Sequence, residues 1–118
     1  MNKHNNELNS IELTNKLFNQ LINSSLSEIQ YISLSSNPTL NTEQIKCLFL
    51  ENIDNVNINL LRNKNCPNGK IEEFLLMNDK IYNIAIAHNE HLSQKHITIL
   101  SDLNDPDVQF SLEFNNHL

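Results

Sequence analysis

The sequence predicts an all-α protein, a short α-solenoid of stacked helix pairs with a 26-residue period. Three observations carry this. Asparagine recurs at Asn37, Asn63, Asn89 and Asn115, always 26 residues apart. Apolar residues keep fixed offsets from it: Leu34, Leu60, Ile86 and Leu112 three before, Ile32, Ile58, Ile84 and Phe110 five before, and Leu40, Cys66, Leu92 and Leu118 three after. Ile45, Ile71 and Ile97 follow at eight, and Leu48, Phe74 and Leu100 at eleven. A second ladder, Asn52, Asn78 and Asn104, precedes an aspartate in the second and third units. A fixed period of roughly 20–50 residues marks stacked repeats, and apolar spacing of three and four puts each set on one helical face.

Taken in order, residues 1–9 are polar and expected to fray. Residues 10–26 form an N-terminal capping helix, with Ser10 as its N-cap and Leu13, Phe18, Leu21 and Ile22 facing inward. The first full unit is 27–53, with helices over Glu28–Ser36 and Thr42–Glu51. Ser27 with Gln30 and Asn41 with Gln44 have capping-box spacing. The second unit, 54–78, has helices over Asn55–Arg62 and Asn68–Met77, and the chain's one glycine, Gly69, in the turn after Pro67. The third unit, 79–104, has helices over Lys80–His88 and Gln94–Leu103. A half-unit, 105–118, opens with Asp105 as cap and Pro106 at the first helical position. Its Phe110, Leu112, Phe114 and Leu118 are expected to fold onto the third unit; the alternative is a sticky face that pairs two copies. Asp54, Asp79 and Asp105 suit N-caps, and both asparagine ladders suit left-handed helix stops. Helices of about ten residues are marginal alone, so each needs its neighbours. The whole chain reads as one helical repeat domain, 1–118.

Composition bounds the function. Hydrophobic content is 39%, depressed by 22 asparagines that alternate with the apolar period rather than forming a polar tract. Net charge is −6 and the pI about 5.2. Such a surface disfavours nucleic acid and suits a basic protein partner. No apolar run reaches the roughly 20 residues that span a bilayer, and Met1–Asn6 lacks a secretory apolar segment. The expectation is a cytoplasmic protein with no membrane partner.

The residues Leu34-Ser35-Ser36-Asn37-Pro38-Thr39-Leu40, the Ile45 and Leu48 pair, and Asp105-Pro106-Asp107-Val108 together resemble the variant leucine-rich repeat family, an all-helical solenoid akin to HEAT repeats. Val56 stands at the position of Val108 in the second unit, and Tyr82 replaces it in the third. The resemblance implies a helical binding scaffold. Two family features are missing. Arginine often follows the valine, where this chain has Asn57, Asn83 and Gln109, and the iron–sulfur module of some members needs a cysteine cluster.

Candidate chemistry is sparse. Cys47 and Cys66 are not at metal spacing, and Cys66 replaces Leu40 and Leu92 as a small core residue. His88, His91 and His96 gather near one turn, but not at helical ligand spacing, and read as solvated turn residues. Glu72 with Glu73, and Asp102, Asp105 and Asp107, read as caps and solvated faces rather than an acid–base pair. No phosphate loop or nucleophile elbow is present. The sequence therefore predicts a non-enzyme without cofactor or metal, a protein-binding module. An immunity or antitoxin protein against a basic nuclease-type toxin fits this reading. Glu51, Glu72, Glu73, Asp102 and Asp107 are its candidate contacts. Alternatives are nucleic-acid binding through Lys64, Lys70, Lys80 and Lys95, or a self-associating adaptor using the C-terminal half-unit.

Overall fold

Eight helices are bounded among the residues described by the computed structural model, 8–118, and no strand occurs among them. They are α1 (Asn15–Ile22), α2 (Glu28–Ser35), α3 (Thr42–Phe49), α4 (Asp54–Arg62), α5 (Asn68–Leu76), α6 (Lys80–Ala87), α7 (Gln94–Asp102) and α8 (Pro106–Phe114). The all-α class is as the sequence predicts. The helix ends follow local chemistry. Both capping boxes form: Ser27 Oγ accepts from the Gln30 amide, and Asn41 Oδ1 from the Gln44 amide, while each glutamine side chain accepts from its cap's own amide. Asp79 and Asp105 cap α6 and α8 through their carboxylates. Asp54 instead is the first residue of α4.

Three local expectations are corrected. Thr14, not Ser10, caps α1, its hydroxyl accepting from the Leu17 amide at 3.2 Å, so the helix begins four residues later than the spacing suggests. Gly69 lies inside α5, because Pro67 with φ −63° already starts the helix. Only the second asparagine ladder is left-handed: Asn52, Asn78 and Asn104 have φ of 50°, 50° and 55°. Most of the stretch expected to fray, residues 1–7, lies outside the described residues; Leu8 is buried.

The chain divides into two compact units, residues 1–60 and 61–118. In the first, α2 packs on α3, and Leu34, Leu40, Ile45, Leu48, Val56 and Leu60 are fully enclosed. Each such side chain contributes about 1.5–3 kcal/mol by leaving water. Asn37 joins this core: its Nδ2 donates to the carbonyls of Ile11 at 2.7 Å and Leu8 at 2.9 Å. Asn59 Nδ2 likewise donates to the Ile32 carbonyl at 3.1 Å and to Ser35 Oγ at 3.0 Å.

In the second unit α6 packs on α5, α7 and α8, and α7 also packs on α8. Ile71, Phe74, Ile86, Ile97, Leu100, Val108 and Leu112 form its core. Tyr82, where the repeat elsewhere has valine, sets its ring edge-on to Phe74 at 4.9 Å. Cys66 is buried, as its place in the repeat predicts. Asn89 repeats the role of Asn37, donating from Nδ2 to the carbonyls of Leu61 and Asn63 at 2.9 and 2.8 Å. The expectation that the first asparagine ladder stops helices through a left-handed backbone is thus overturned. Asn37 and Asn89 instead donate from their side chains to the buried carbonyls of Leu8 and Leu61.

The last helix does not fold wholly inward. Val108, Ser111 and Leu112 are buried, but Phe110 (66% exposed), Phe114 (69%) and Leu118 (56%) face out. The two phenyl rings stack at 6.2 Å between centroids.

Candidate partner-binding surface

Glu51 lies in the turn after α3 in the first unit and is exposed. The Tyr31 hydroxyl donates to its carboxylate. Burial first, then the Glu51 charge and that of Cys47, hold the Tyr31 hydroxyl above its usual range. The other four candidates lie in the second unit. Glu72, in the middle of α5, accepts from Lys95 Nζ at 3.0 Å and faces His96 Nε2 at 3.3 Å. These contacts, the Lys95 hydrogen bond foremost, hold its carboxyl below the ordinary glutamate range. Glu73 pairs with Lys70 one turn earlier, at 3.0 Å. Asp107 pairs with Lys80 at 2.8 Å, and Asp105 Oδ2 lies 3.8 Å from the same ammonium. The two aspartates, Asp107 foremost, hold the Lys80 ammonium above its usual pKa. Asp102 ends α7, exposed, with no ion pair among the described residues. The candidates are therefore distributed. Glu72 joins α5 to α7, Asp107 joins α8 to α6, and neither is a free carboxylate.

The same pairs bear on the lysines. Of Lys64, Lys70, Lys80 and Lys95, three are tied to carboxylates. A lysine whose charge is already met has less to offer a phosphate.

The histidines separate. His91 is exposed, its amide donating to Asn89 Oδ1 at 2.8 Å. His88 caps α6 and is half-buried. His96 is not a solvated turn residue: it lies within α7, 1% exposed, with Nε2 toward Glu72 and Nδ1 meeting no hydrogen-bond partner. The repeat held a signal for this, because Gln44, one period back in the first unit plus one more, is also buried. Among the described residues no three metal-ligating side chains come together.

Asn57 and Asn83, standing where the resemblance would place arginine, are both buried. Their Nδ2 groups turn toward Asn52 Oδ1 and Asn78 Oδ1 at 3.4 and 3.5 Å, so each braces a left-handed stop within its own unit. Gln109 lines an open groove with Ser101, Asn104, Asp105 and Pro106. The one carboxylate there, Asp105, is occupied in capping α8.

The surface feature that sequence reading missed is apolar. Leu50 is 81% exposed and Leu76 87%, and both stand thirteen residues after their anchor asparagine. The next position holds Met77 and Leu103, also exposed. Large side chains left in water at a recurring place are the unusual observation, since scattered single ones need no explanation. Their signal was an apolar residue thirteen or fourteen after the anchor in each unit: Leu50, Leu76 with Met77, and Leu103.

Comparison of the chain with protein families, with curated proteins and with solved structures finds no match.

Proposed function

We propose that this chain is a non-catalytic protein-binding module, a short solenoid of 26-residue helix pairs of the variant leucine-rich repeat kind, and that its partner is basic. The pairing of Lys70, Lys80 and Lys95 with Glu73, Asp107 and Glu72 carries this reading. It removes most of the cations a nucleic-acid surface would use and leaves a protein of net charge −6. Asp102 supplies charge without a cation of its own, and Leu50, Leu76, Met77 and Leu103 supply apolar area that a partner would cover. Within this class we favour an immunity or antitoxin protein that neutralises a basic nuclease-type toxin, because acidic complementarity speeds encounter and selects the partner.

The test is association with a basic partner recovered from the native cell and then purified. Half-molar salt should slow the on-rate at least tenfold, as screening predicts. Leu76→Asp should raise the off-rate with helicity unchanged. A salt-independent on-rate would remove the electrostatic part, and wild-type binding by Leu76→Asp would remove the apolar part. Retention of duplex DNA at low salt would favour the nucleic-acid alternative instead.

A second reading, self-association through the C-terminal half-unit, is favoured by the exposure of Phe110, Phe114 and Leu118. Light scattering would then give a dimer mass, and Phe114→Asp a monomer that remains folded.

A further inference from the structure

The end of the chain is held to the end of α6 by two histidines. His117 Nε2–H donates to the Asn89 carbonyl at 2.8 Å, and the His117 amide donates to the Leu112 carbonyl at 2.9 Å. At the other contact, Asn115 Nδ2 lies 3.0 Å from His88 Nδ1. The direction of that bond is fixed. The same Nδ2 donates to the Ser111 carbonyl at 2.9 Å, so the amide nitrogen, not its oxygen, stands at this place. His88 Nδ1 must then accept, and an imidazole accepts there only while Nδ1 carries no proton.

We propose that the His88–Asn115 hydrogen bond is an acid-sensitive latch: protonating His88 sets two donors against each other and unfastens residues 115–118 from the end of α6. Among the described residues no carboxylate acts on the ring. From α8 the ring meets Asn115 and Phe114, whose ring is tilted 65° to it with 6.3 Å between centroids. The charge acting on it is that of Arg62, which is of like sign. On α5 and α7, Glu72, Lys95 and His96 are engaged with one another.

The pKa of His88 moves in the direction this requires. Burial first, then Arg62, holds it below its ordinary 6.5. A histidine depressed in the folded state contributes its full stability above about pH 6.5, where both states are neutral. That contribution is lost as pH falls from there toward the folded pKa, because the opened form takes up the proton first.

Amide hydrogen exchange across residues 112–118 of the full chain, read as protection factors at pH 7.5 and 5.0, tests this. In the wild type, protection of the Asn115 and His117 amides should fall roughly three- to tenfold on acidification, the effect of one hydrogen bond. His88→Gln supplies an amide oxygen that accepts from Asn115 and does not titrate, so its protection should stay the same at both pH values. Asn115→Ala should show reduced protection already at pH 7.5 and no further fall. No acid-dependent fall in the wild type would overturn the proposal. So would an equal fall in His88→Gln, which would move the effect to His117 or another group. If His88→Gln is already loose at pH 7.5, Asn115→Ala decides, and a pH-dependent fall that persists there defeats the latch. Nitrogen shifts of the ring showing a proton on Nδ1 at pH 7.5 would defeat it as well.

Discussion

Asn89 reaches back 26 residues to the main chain of Asn63, with 2.8 Å between its Nδ2 and that carbonyl oxygen. The same nitrogen takes the Leu61 carbonyl at 2.9 Å. One buried side chain thus serves two acceptors 26 and 28 residues earlier. Asn89→Ala should destabilise the protein by about 1–3 kcal/mol, since the Leu61 carbonyl stays buried without this donor, while the Asn63 carbonyl keeps the Cys66 amide at 2.9 Å. Asn89→Asp should be no milder, because it keeps the acceptor for the His91 amide but loses both donors. Urea titration checks both, through the midpoint at constant slope. A loss under about 0.5 kcal/mol for Asn89→Ala would show that water replaces the amide.

Asn104 follows α7 with φ 55°. Glycine enters that conformation freely, and a β-branched residue does so only under strain. Asn104→Gly should be neutral or slightly stabilising, and Asn104→Val should cost about 1–2 kcal/mol. Thermal melts of the pair distinguish a conformational role from a contact role, because a contact role would make both harmful.

The start of α5 lacks a side-chain cap. Pro67 stands where Asn41 caps α3 and Ser93 caps α7, yet offers no side-chain acceptor. Two positions later, a Cβ at Gly69 would meet no atom within 4 Å. Gly69→Ala should therefore stabilise by about 0.5–1 kcal/mol, through helix propensity and a less flexible unfolded chain. Pro67→Ser should add an N-cap worth about 1 kcal/mol, partly offset by the freedom the unfolded chain regains. A melting temperature unchanged in Gly69→Ala would mean that α5 is already frayed at this end.

Glu72 should make stability depend on pH in the acid range. Its carboxyl is held below the ordinary 4.5, first by the Lys95 hydrogen bond and then by His96. A depressed carboxylate contributes stability that is present above about pH 4.5 and disappears as pH falls through the folded value. The melting temperature of the wild type should exceed that of Glu72→Gln at pH 6 and converge with it toward pH 3. High salt should narrow the gap at pH 6, since the Lys95 ammonium is largely in water. A gap that persists at pH 3 would assign the effect to packing.

Much of the helix plan was legible in the sequence because its causes are local. Ser27 with Gln30, Asn41 with Gln44, and Asp105 before Pro106 each set a boundary within four residues, and each appears where the spacing puts it. The misreadings are non-local or degenerate. Ser10 and Thr14 are both competent caps, and only the hydrogen bond to Leu17 decides between them. An asparagine can stop a helix with its backbone or serve distant carbonyls with its side chain. Asn78 does the first and Asn89 the second, according to which carbonyls lie beside it. Glu72 and Asp107 were legible as charges but not as pairs, because Lys95 comes 23 residues after Glu72 and Asp107 comes 27 after Lys80. The C-terminal phenylalanines fit the repeat's apolar positions, and periodicity alone does not say which of those positions is covered.

The two free thiols fall one to each compact unit, Cys47 in the first and Cys66 in the second. Burial pushes the Cys66 thiol up to about 12, so at pH 8 roughly one molecule in ten thousand carries the reactive thiolate while the fold is closed. Burial also raises Cys47, followed by the Glu51 charge. Alkylation of buried Cys66 is then a timer for the opening of its own half, whereas half-buried Cys47 can react from the closed fold. Mass spectrometry of the two labelled peptides would separate, in one sample, opening-limited reaction at Cys66 from direct reaction at Cys47.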